Sequence, residues 1–574
     1  MTENGAAPPS TRAKIAASLP RRYRAERRFR LYGMGAIVLA VGALAVLLVS
    51  ITAQGFSAFS IYRFNLPLRL DAALIDPGGS HDPAIIAKGK YRVLIRKALD
   101  HAFPQVHGHK QKRALYGLST GLNAIALQHR VVRNPALIGT TIRFHGPLSD
   151  DLDLYLKGQV TPRHVIPGRG LLRARTGAGG ALVFEASPGA FFAALQRVRQ
   201  HRLARAALLQ KRAARLLKGV NRSDPQIAAS RRGKSAALVE QAGTLRRSAQ
   251  AGTLELDEDD ASVLLRIDDG YIKAAQLSDT ALRGRALVAP QNLNTAKDWG
   301  VLVLDLPEHA RRVSDQQAVW VQILLARGDL KRVFNTIFFT HADSREPELA
   351  GIAGAFAGSL LTLLATMLAA VPVGIGAAIY LEEFAPKNPL TGFIEVNINN
   401  LAAVPSIIFG LLGLAVFLNA FHLPRSAPLV GGLVLALMTL PVIIIASRAA
   451  IAAVPPSIRE AALAIGASKT QTVFDHVLPL AAPGIMTGAI IGLARALGET
   501  APLLMIGMVA FIADIPKSLT APSTAMPVQI YLWASSAERA WQSRTAAAII
   551  VLLVLMIVLN LGAVVLRNKF ERRW

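Results

Sequence analysis

The stretch Ser457-Ile-Arg-Glu-Ala-Ala-Leu-Ala-Ile-Gly466-Ala-Ser-Lys-Thr-Gln-Thr-Val-Phe-Asp-His-Val-Leu-Pro479 decides how this chain is read. It is a polar interruption between two long apolar runs. Ser457 precedes Glu460 by three residues, the spacing of a capping box, directly after Pro455-Pro456. A short helix is expected from there to Gly466, where glycine's backbone freedom ends it. Ser468 to Val477 reads as a second short helix. The expected result is a compact helical hairpin on a membrane surface; an ordinary amphipathic connector is the plainer alternative.

The membrane itself is read from composition. The chain has 574 residues, 52% of them hydrophobic, and a mean hydropathy of +0.36. That average is too apolar for a soluble chain of this size, and the apolar residues are clustered. Charge-poor runs of about 20 or more residues are membrane spans, because lipid requires every backbone group to bond within its own helix. Six such runs occur, at about 31–53, 352–381, 396–419, 428–448, 484–512 and 546–566. The expected fold is an all-α polytopic membrane protein with six transmembrane helices and a large extracytoplasmic α+β insertion between helices 1 and 2. Its parts are a basic tail (1–30), helix 1 (31–53), the soluble insertion (54–345) and a transmembrane domain (346–574) with a cytoplasmic loop at 449–483.

Charge gives the topology. Arg21, Arg22, Arg24, Arg27, Arg28 and Arg30 precede the first run, and positive-inside bias puts that end in the cytoplasm. Six crossings then place 54–345 outside, Glu382–Glu395 inside, the loop near Pro424 outside, the Glu460 loop inside, 513–545 outside and the tail Arg567–Arg573 inside. Both termini are cytoplasmic on this count. The first run is too long for a signal-peptide core, and Ile51 breaks the small-x-small pattern before Ala53, so it reads as an uncleaved anchor. Net charge is +27, and the insertion holds 43 Lys and Arg against 24 Asp and Glu. Nucleic acid is excluded as a partner, because no recognition motif accompanies the charge and the region is tethered to spans. With no cysteine there is neither a disulfide framework nor a thiolate metal site.

Within the insertion, residues of about 187–218 carry apolar positions at helical spacing between Arg and Lys. Thr141–Phe144, Leu152–Leu156, Val263–Ile267 and Val301–Leu306 alternate and are expected to be strands. Asp257-Glu258-Asp259-Asp260 lacks the alternation and turn glycine of a calcium loop and reads as a solvated turn. Gly233-Lys234-Ser235 mimics the end of a phosphate-binding loop, but Ala228 stands where its first glycine is needed. His101, His107 and His109 read as a loop rather than a metal site. No nucleotide fingerprint appears, so any use of ATP needs a partner.

The fifth run carries Arg495 and Glu499 near its middle, where a charge costs about 2.5–3.5 kcal/mol on the insertion scale. Gly484, Gly488, Gly492, Arg495, Glu499 and Pro502 share one arc of the helix, and Met486, Ile490, Leu493, Leu497 and Leu504 form an opposite, lipid-like face. Small residues every four positions admit a close helix neighbour. Arg495 and Glu499 can pair at i,i+4. The pair is either a structural clasp or part of an anion pathway, with Arg495 attracting an oxyanion and Glu499 keeping it from being trapped. Pro405-Ser406 interrupts the third run, as a simple kink packed by Gly410 and Gly413 or as a break whose freed N–H groups face an anion. Asn397, Asn399 and Asn400 are expected to cap the entry to that span, and Arg448 to be an interfacial anchor.

The spacing Glu460-Ala461-Ala462, three residues, Gly466, then Leu478-Pro479 resembles the coupling loop of ABC importer permeases, with His476 where an aliphatic residue is usual. Arg495-Ala-Leu-Gly-Glu-Thr-Ala-Pro-Leu-Leu504, Asn397-Ile-Asn-Asn-Leu-Ala-Ala-Val-Pro-Ser-Ile-Ile-Phe-Gly410 and Ser457–Gly466 resemble phosphate ABC transporter permeases of the PstA type. The likeness covers about 348–574, and Ala342–Glu348 with the insertion looks like a long-loop variant. It implies an inner-membrane permease subunit that forms half of a phosphate pathway and does no bond chemistry. Implied partners are a second permease subunit, a cytosolic ATPase dimer that binds the ATP, an extracytoplasmic phosphate-binding protein, and membrane lipid. No cofactor of its own is implied. The family's buried arginine and acid map onto Arg495 and Glu499, with Ser406 added as a pathway candidate; Glu460, Ala461, Ala462, Gly466, Leu478 and Pro479 map onto the ATPase contact. A permease for sulfate or molybdate is the near alternative. A membrane-anchored extracytoplasmic sensor or structural protein is the distant one, and it would need neither coupling loop nor buried charge pair.

Overall fold

The structure is a computed structural model and describes residues 11–176, 182–218, 225–290 and 295–570. The first ten residues of the basic tail, and Glu571, Arg572 and Arg573 at the other end, lie outside the described residues. The chain forms two units, residues 60–335 and residues 1–59 with 336–574. Helix α1, Thr11–Gly55, opens the second of these.

The insertion unit is α+β. Its termini are paired, Ser60–Phe64 running antiparallel to Leu330–Phe334. A nine-stranded sheet follows the order Thr295–Ala296, Leu172–Thr176, Leu182–Glu185, Ala281–Val288, Gly270–Leu277, Ser262–Ile267, Trp299–Leu304, Arg163–Pro167, with Leu254–Glu255 added on Gly270–Leu277. Every pairing is antiparallel. Successive side chains leave a strand on opposite faces, and here both faces are covered. Val263, Leu265, Val301 and Val303 enter one core with Phe184, Phe191 and Trp299. Leu264, Leu302 and Leu304 enter the other, with Trp320, Tyr155 and Phe103.

Sequence and structure part at three places in this unit. Leu152–Leu156 is not a strand but the end of a helix, Asp150–Leu156. All five of those residues are buried, so the leucine alternation marks no exposed face, and Asp150, Asp151 and Asp153 suit the positive end of a helix. The acidic turn is not simply solvated: Asp260 is 3% exposed and ion-paired with Arg202, and Asp259 pairs with Arg205. Gly233-Lys234-Ser235 lies inside a helix that alternation does not reveal. That helix, α3 (Pro225–Ala249), lies against α2 (Phe192–Leu217) as a hairpin. Ala206 and Ala213 on α2, and Ala228, Ser235, Ala242 and Ala249 on α3, are buried at spacings of seven. This is a coiled-coil seam made of the smallest side chains. Ser235 Oγ donates to Ala213 O across it at 3.1 Å.

A buried ionic cluster ties the sheet to the helix Asp315–Ala326. Asp315, 1% exposed, receives Arg311 and Lys273 at 2.6 Å each and a hydrogen bond from Ser262 Oγ at 3.1 Å. Glu308 also holds Lys273, at 2.6 Å. Burial pushes the Asp315 carboxyl up, but Arg311 and Lys273 outweigh it and hold the group below the ordinary carboxylate value. Burial likewise opposes the charge on Lys273, and Asp315 and Glu308 outweigh it and raise its pKa.

The membrane unit is helical; among the described residues, five helices are long and apolar enough to cross a membrane, six if a bent pair counts as one span. After α1 come α4 (Ala353–Ile379), the pair α5 (Pro389–Ala402) and α6 (Ser406–Gly413), α7 (Pro428–Ala452), the short α8 (Pro456–Ala464), α9 (Leu478–Gly498), α10 (Ala501–Met505), α11 (Met526–Ala534) and α12 (Ala540–Phe570). Glycine and alanine set the contacts. A Cβ on Gly432 would collide with Ala365, and one on Gly488 with Ala446. Gly55 of α1 lies against Ala546, Ala547 and Ile550 of α12. Such close approach replaces the hydrophobic drive that lipid removes.

The two ends of α7 mark the two faces of this unit. Near one end, Leu429 N–H donates to Leu519 O, and Ser426 Oγ donates to Gly507 O. At the other, Arg448 pairs with Glu382 at 3.2 Å and Glu395 at 2.9 Å. Arg448 is therefore a cross-link between three segments rather than a lone interfacial anchor. The pair α5–α6 is bent by 101° at the break before Ser406, which is more than a kink. Pro405 carries no N–H for the preceding turn and disfavours helix at Val404. The asparagines do not open a helix: Asn388 caps α5, and Asn397 lies within it, donating to Phe393 O.

Candidate functional site

The surface hairpin begins where α7 ends, and Pro455 and Pro456 fix its start. Ser457 and Glu460 do not make a capping box; no side-chain cap bond forms at the head of α8. Two prolines already set φ and remove orphan donors there. The box lies further on, where Ser468 Oγ accepts from Gln471 N–H at 3.2 Å and Gln471 Oε1 accepts from Ser468 N–H at 2.9 Å. Between the two helices, Gly466 sits at φ +92°, with Gly466 N–H donating to Leu463 O and Ala467 N–H to Ala462 O. That is a Schellman turn, and its left-handed residue favours glycine.

Arg459 fastens α8 to the unit. Its guanidinium donates to Glu383 Oε1 at 3.0 and 2.6 Å, to Val454 O at 2.6 Å and to Ile451 O at 2.9 Å. Ala462 is buried, whereas Glu460, Ala461 and Gly466 are exposed. Leu463, Ile465 and Phe474 stand 51%, 81% and 52% exposed beside them. His476 is exposed, and Val477 takes the buried position next to it. Leu478 and Pro479 are half-buried and do not start a new helix. The segment from Lys469 passes through a wide turn at Thr472–Val477 into α9 as one 30-residue apolar helix ending at Gly498.

The apolar helix of this region therefore runs over 469–498 and not 484–512. Pro502 has no N–H to bond to Gly498 O, and the helix stops one turn before it. Glu499 is extended, at ψ 127°. Arg495 falls in the last turn of α9, not at its middle. Depth is a separate matter, and the neighbour sets it. Gly484, Gly488 and Gly492 abut Ala450, Ala446 and Ile443 of the antiparallel α7. Continuing that register brings Arg495 level with the centre of α7, so α9 breaks partway across the unit.

Arg495 Nε lies 3.6 Å from Glu499 Oε1, with the side chains 48% and 21% exposed. Gly484, Ile491, Arg495 and Gly498 form an exposed stripe along α9. The opposite side is not a lipid face: Leu497 is buried with Phe338, Trp533 and Leu555. Gly410 of α6 abuts Pro502 and Met505, and Gly413 abuts Val434 and Ile506. Ser406, one turn before Gly410 and half-buried, heads the helix that packs against the segment following Glu499. The carboxylates Glu382, Glu383 and Glu395, and Arg459, escape a reading by spacing because their partners are 53 to 76 residues away. Among the described residues, no group of three or more His, Asp or Glu is placed to hold a metal ion.

Comparison with known proteins places these features. Residues 370–574 match the family model "Binding-protein-dependent transport system inner membrane component", and residues 16–165 match a domain of unknown function, DUF3333. The phosphate transport system permease protein PstA 1 of Mycobacterium tuberculosis is 31% identical over 224 residues, which are 39% of this chain and 72% of that protein. PstA of Mycobacterium leprae is 31% identical over 44% of this chain and 84% of that one. The probable ABC transporter permease protein YqgI of Bacillus subtilis is 38% identical over 29% of this chain, and the chain spans 56% of its length. Among solved structures, the inward-facing MetNI methionine ABC transporter matches with a TM-score of 0.31 and 17% identity, over 38% of this chain and 96% of that one.

Proposed function

Because the chain belongs to the phosphate-permease family of binding-protein-dependent transport systems, we propose that it forms one half of a membrane pathway importing inorganic phosphate. It is a non-catalytic, multi-pass inner-membrane subunit of an ABC importer with a large extracytoplasmic insertion. The observation that carries the reading is the joining of two features on one helix. An exposed, Schellman-turned hairpin lies at one end and a half-exposed Arg–Glu pair lies at the break at the other.

In this proposal the hairpin from Ser457 to Pro479 docks on a cytosolic ATPase dimer, which binds the ATP. Glu460, Ala461, Leu463 and Ile465 offer it a mixed surface, and Arg459 holds α8 at a fixed angle. Both chain ends lie on the ATPase side. A second permease subunit covers the stripe Gly484–Ile491–Arg495–Gly498 and completes the pathway, and an extracytoplasmic binding protein delivers phosphate. Arg495 presents two or more N–H donors to the oxyanion, and Glu499 weakens the attraction so that the ion leaves. Ser406 adds a hydroxyl and free backbone N–H groups at the head of α6.

Proteoliposomes holding the chain with its second permease subunit, ATPase and binding protein test the substrate. Labelled phosphate should enter on ATP addition and should resist competition by excess sulfate or molybdate. Uptake of sulfate in place of phosphate would move the assignment to the other oxyanion.

A further inference from the structure

The hairpin α2–α3 is strongly basic. Phe192–Lys218 holds eight Lys and Arg and no acid, and Pro225–Ala249 holds five against the single Glu240. On the same helix, Arg197, Arg202 and Arg205 are drawn into ion pairs with Asp305, Asp260 and Asp259. Lys211, Arg212, Arg215 and Lys218 make no ion pair among the described residues and are all exposed. At 100° per residue, Lys211, Arg212, Arg215 and Lys218 fall on the side of α2 opposite the buried Ala206 and Ala213. Leu208, 66% exposed, lies among them.

We propose that this outer face of α2 rests on the anionic headgroups of a lipid bilayer. Three observations favour lipid over a protein partner. The four cations Lys211, Arg212, Arg215 and Lys218 lie within about 11 Å along the helix, a dense patch that a surface of repeating charge meets at several points at once. It carries no Trp or Tyr, the residues that anchor specific protein interfaces. The unit is also joined to membrane helices through the adjacent, paired strands Ser60–Phe64 and Leu330–Phe334, so a bilayer is always within tethered reach. Each cation then gains from the negative surface potential, within a Debye length and in a salt-dependent way.

The absence of cysteine supplies the test, since Leu208→Cys creates a single labelling site. The full chain, labelled there, is placed in nanodiscs of phosphatidylcholine alone or with about a third phosphatidylglycerol. Quenching of the dye by headgroup-labelled lipid should be several-fold stronger in the anionic discs. It should vanish in about 0.5 M salt and in the Lys211→Gln, Arg212→Gln, Arg215→Gln, Lys218→Gln variant. Equal quenching in the two lipids overturns the proposal. So does shielding of the dye only on addition of an acidic extracytoplasmic protein, which assigns the face to a protein. The lipid comparison uses the cations intact, so a misfolded quadruple variant would not blur it.

Discussion

The insertion and the membrane unit handle charge in opposite ways. In the insertion, some ion pairs are part of the core: Asp315 and Arg311 are almost wholly buried, and so are Asp260 and Arg202. In the membrane unit the cross-segment pairs gather at the Arg448 end of α7, and Arg495–Glu499 stands half-exposed at a helix break. Asp315 is closed in by its partners, whereas Arg495–Glu499 keeps the open side that the proposed pathway role requires. On the proposed reading, the two pairs differ in surroundings rather than in residue type.

The largest expected effect tests the structural side. Asp315→Asn leaves Lys273 and Arg311 buried with one carboxylate fewer, and breaking such a cluster costs about 3–5 kcal/mol. Hydrogen exchange should show the insertion opening more readily while the protection of α7 and α9 is unchanged. The same site predicts a pH limb. The folded Asp315 pKa lies below its ordinary value, so its stabilisation is present above the carboxylate range and lost as pH falls through the folded value. That limb should be missing in the variant. Lys273 is raised, so its contribution holds below the ordinary lysine value and is lost only as pH climbs past the folded one.

Arg495→Gln should do the reverse, lowering phosphate uptake by at least about tenfold, the scale of losing one charge-assisted hydrogen bond of about 1.5–3 kcal/mol. Assembly with the partner subunits should persist, and Glu499→Gln should behave alike. An Arg495→Gln, Glu499→Gln double variant that transports normally would show the pair to be a clasp, and the contrast between the two units would fail. A smaller effect is expected of Gly466→Val, which forces a β-branched residue to φ +92° at a local cost of about 1–3 kcal/mol. Recovery of the ATPase with the chain should fall about tenfold with no change in membrane insertion. Undiminished recovery and transport would remove the hairpin from the coupling role.

Legibility in sequence follows the same division. Spans such as Pro428–Ala452 are written as apolar runs, because lipid imposes a length and a composition. Gly466 was legible because a left-handed turn leaves few choices of residue. The end of α9 was not, because Leu503, Leu504 and Ile506 prolong the apolar run past the break. Pro502 was the available signal, and hydropathy outvoted it. In the insertion, Asp150 and Asp151 after Ser149 announced a helix that the alternating leucines disguised. The α2–α3 seam is built from alanine and serine, which hydropathy barely registers; only a period of seven would have exposed it. The ionic cross-links of Arg448 and Arg459 could not be read at all, since charge partners far apart in sequence leave no local pattern.

The helix from Lys469 to Gly498 has a mechanical consequence. Val477 and Arg495 are about 27 Å apart along α9, with the wide turn at Thr472–Val477 before it and Pro483 inside it. On the docking proposed above, a displacement imposed at Leu478 reaches Arg495 through one continuous helix, α9. The wide turn at Thr472–Val477 and the hydrogen bond missing at Pro483 are the two places where this path can bend.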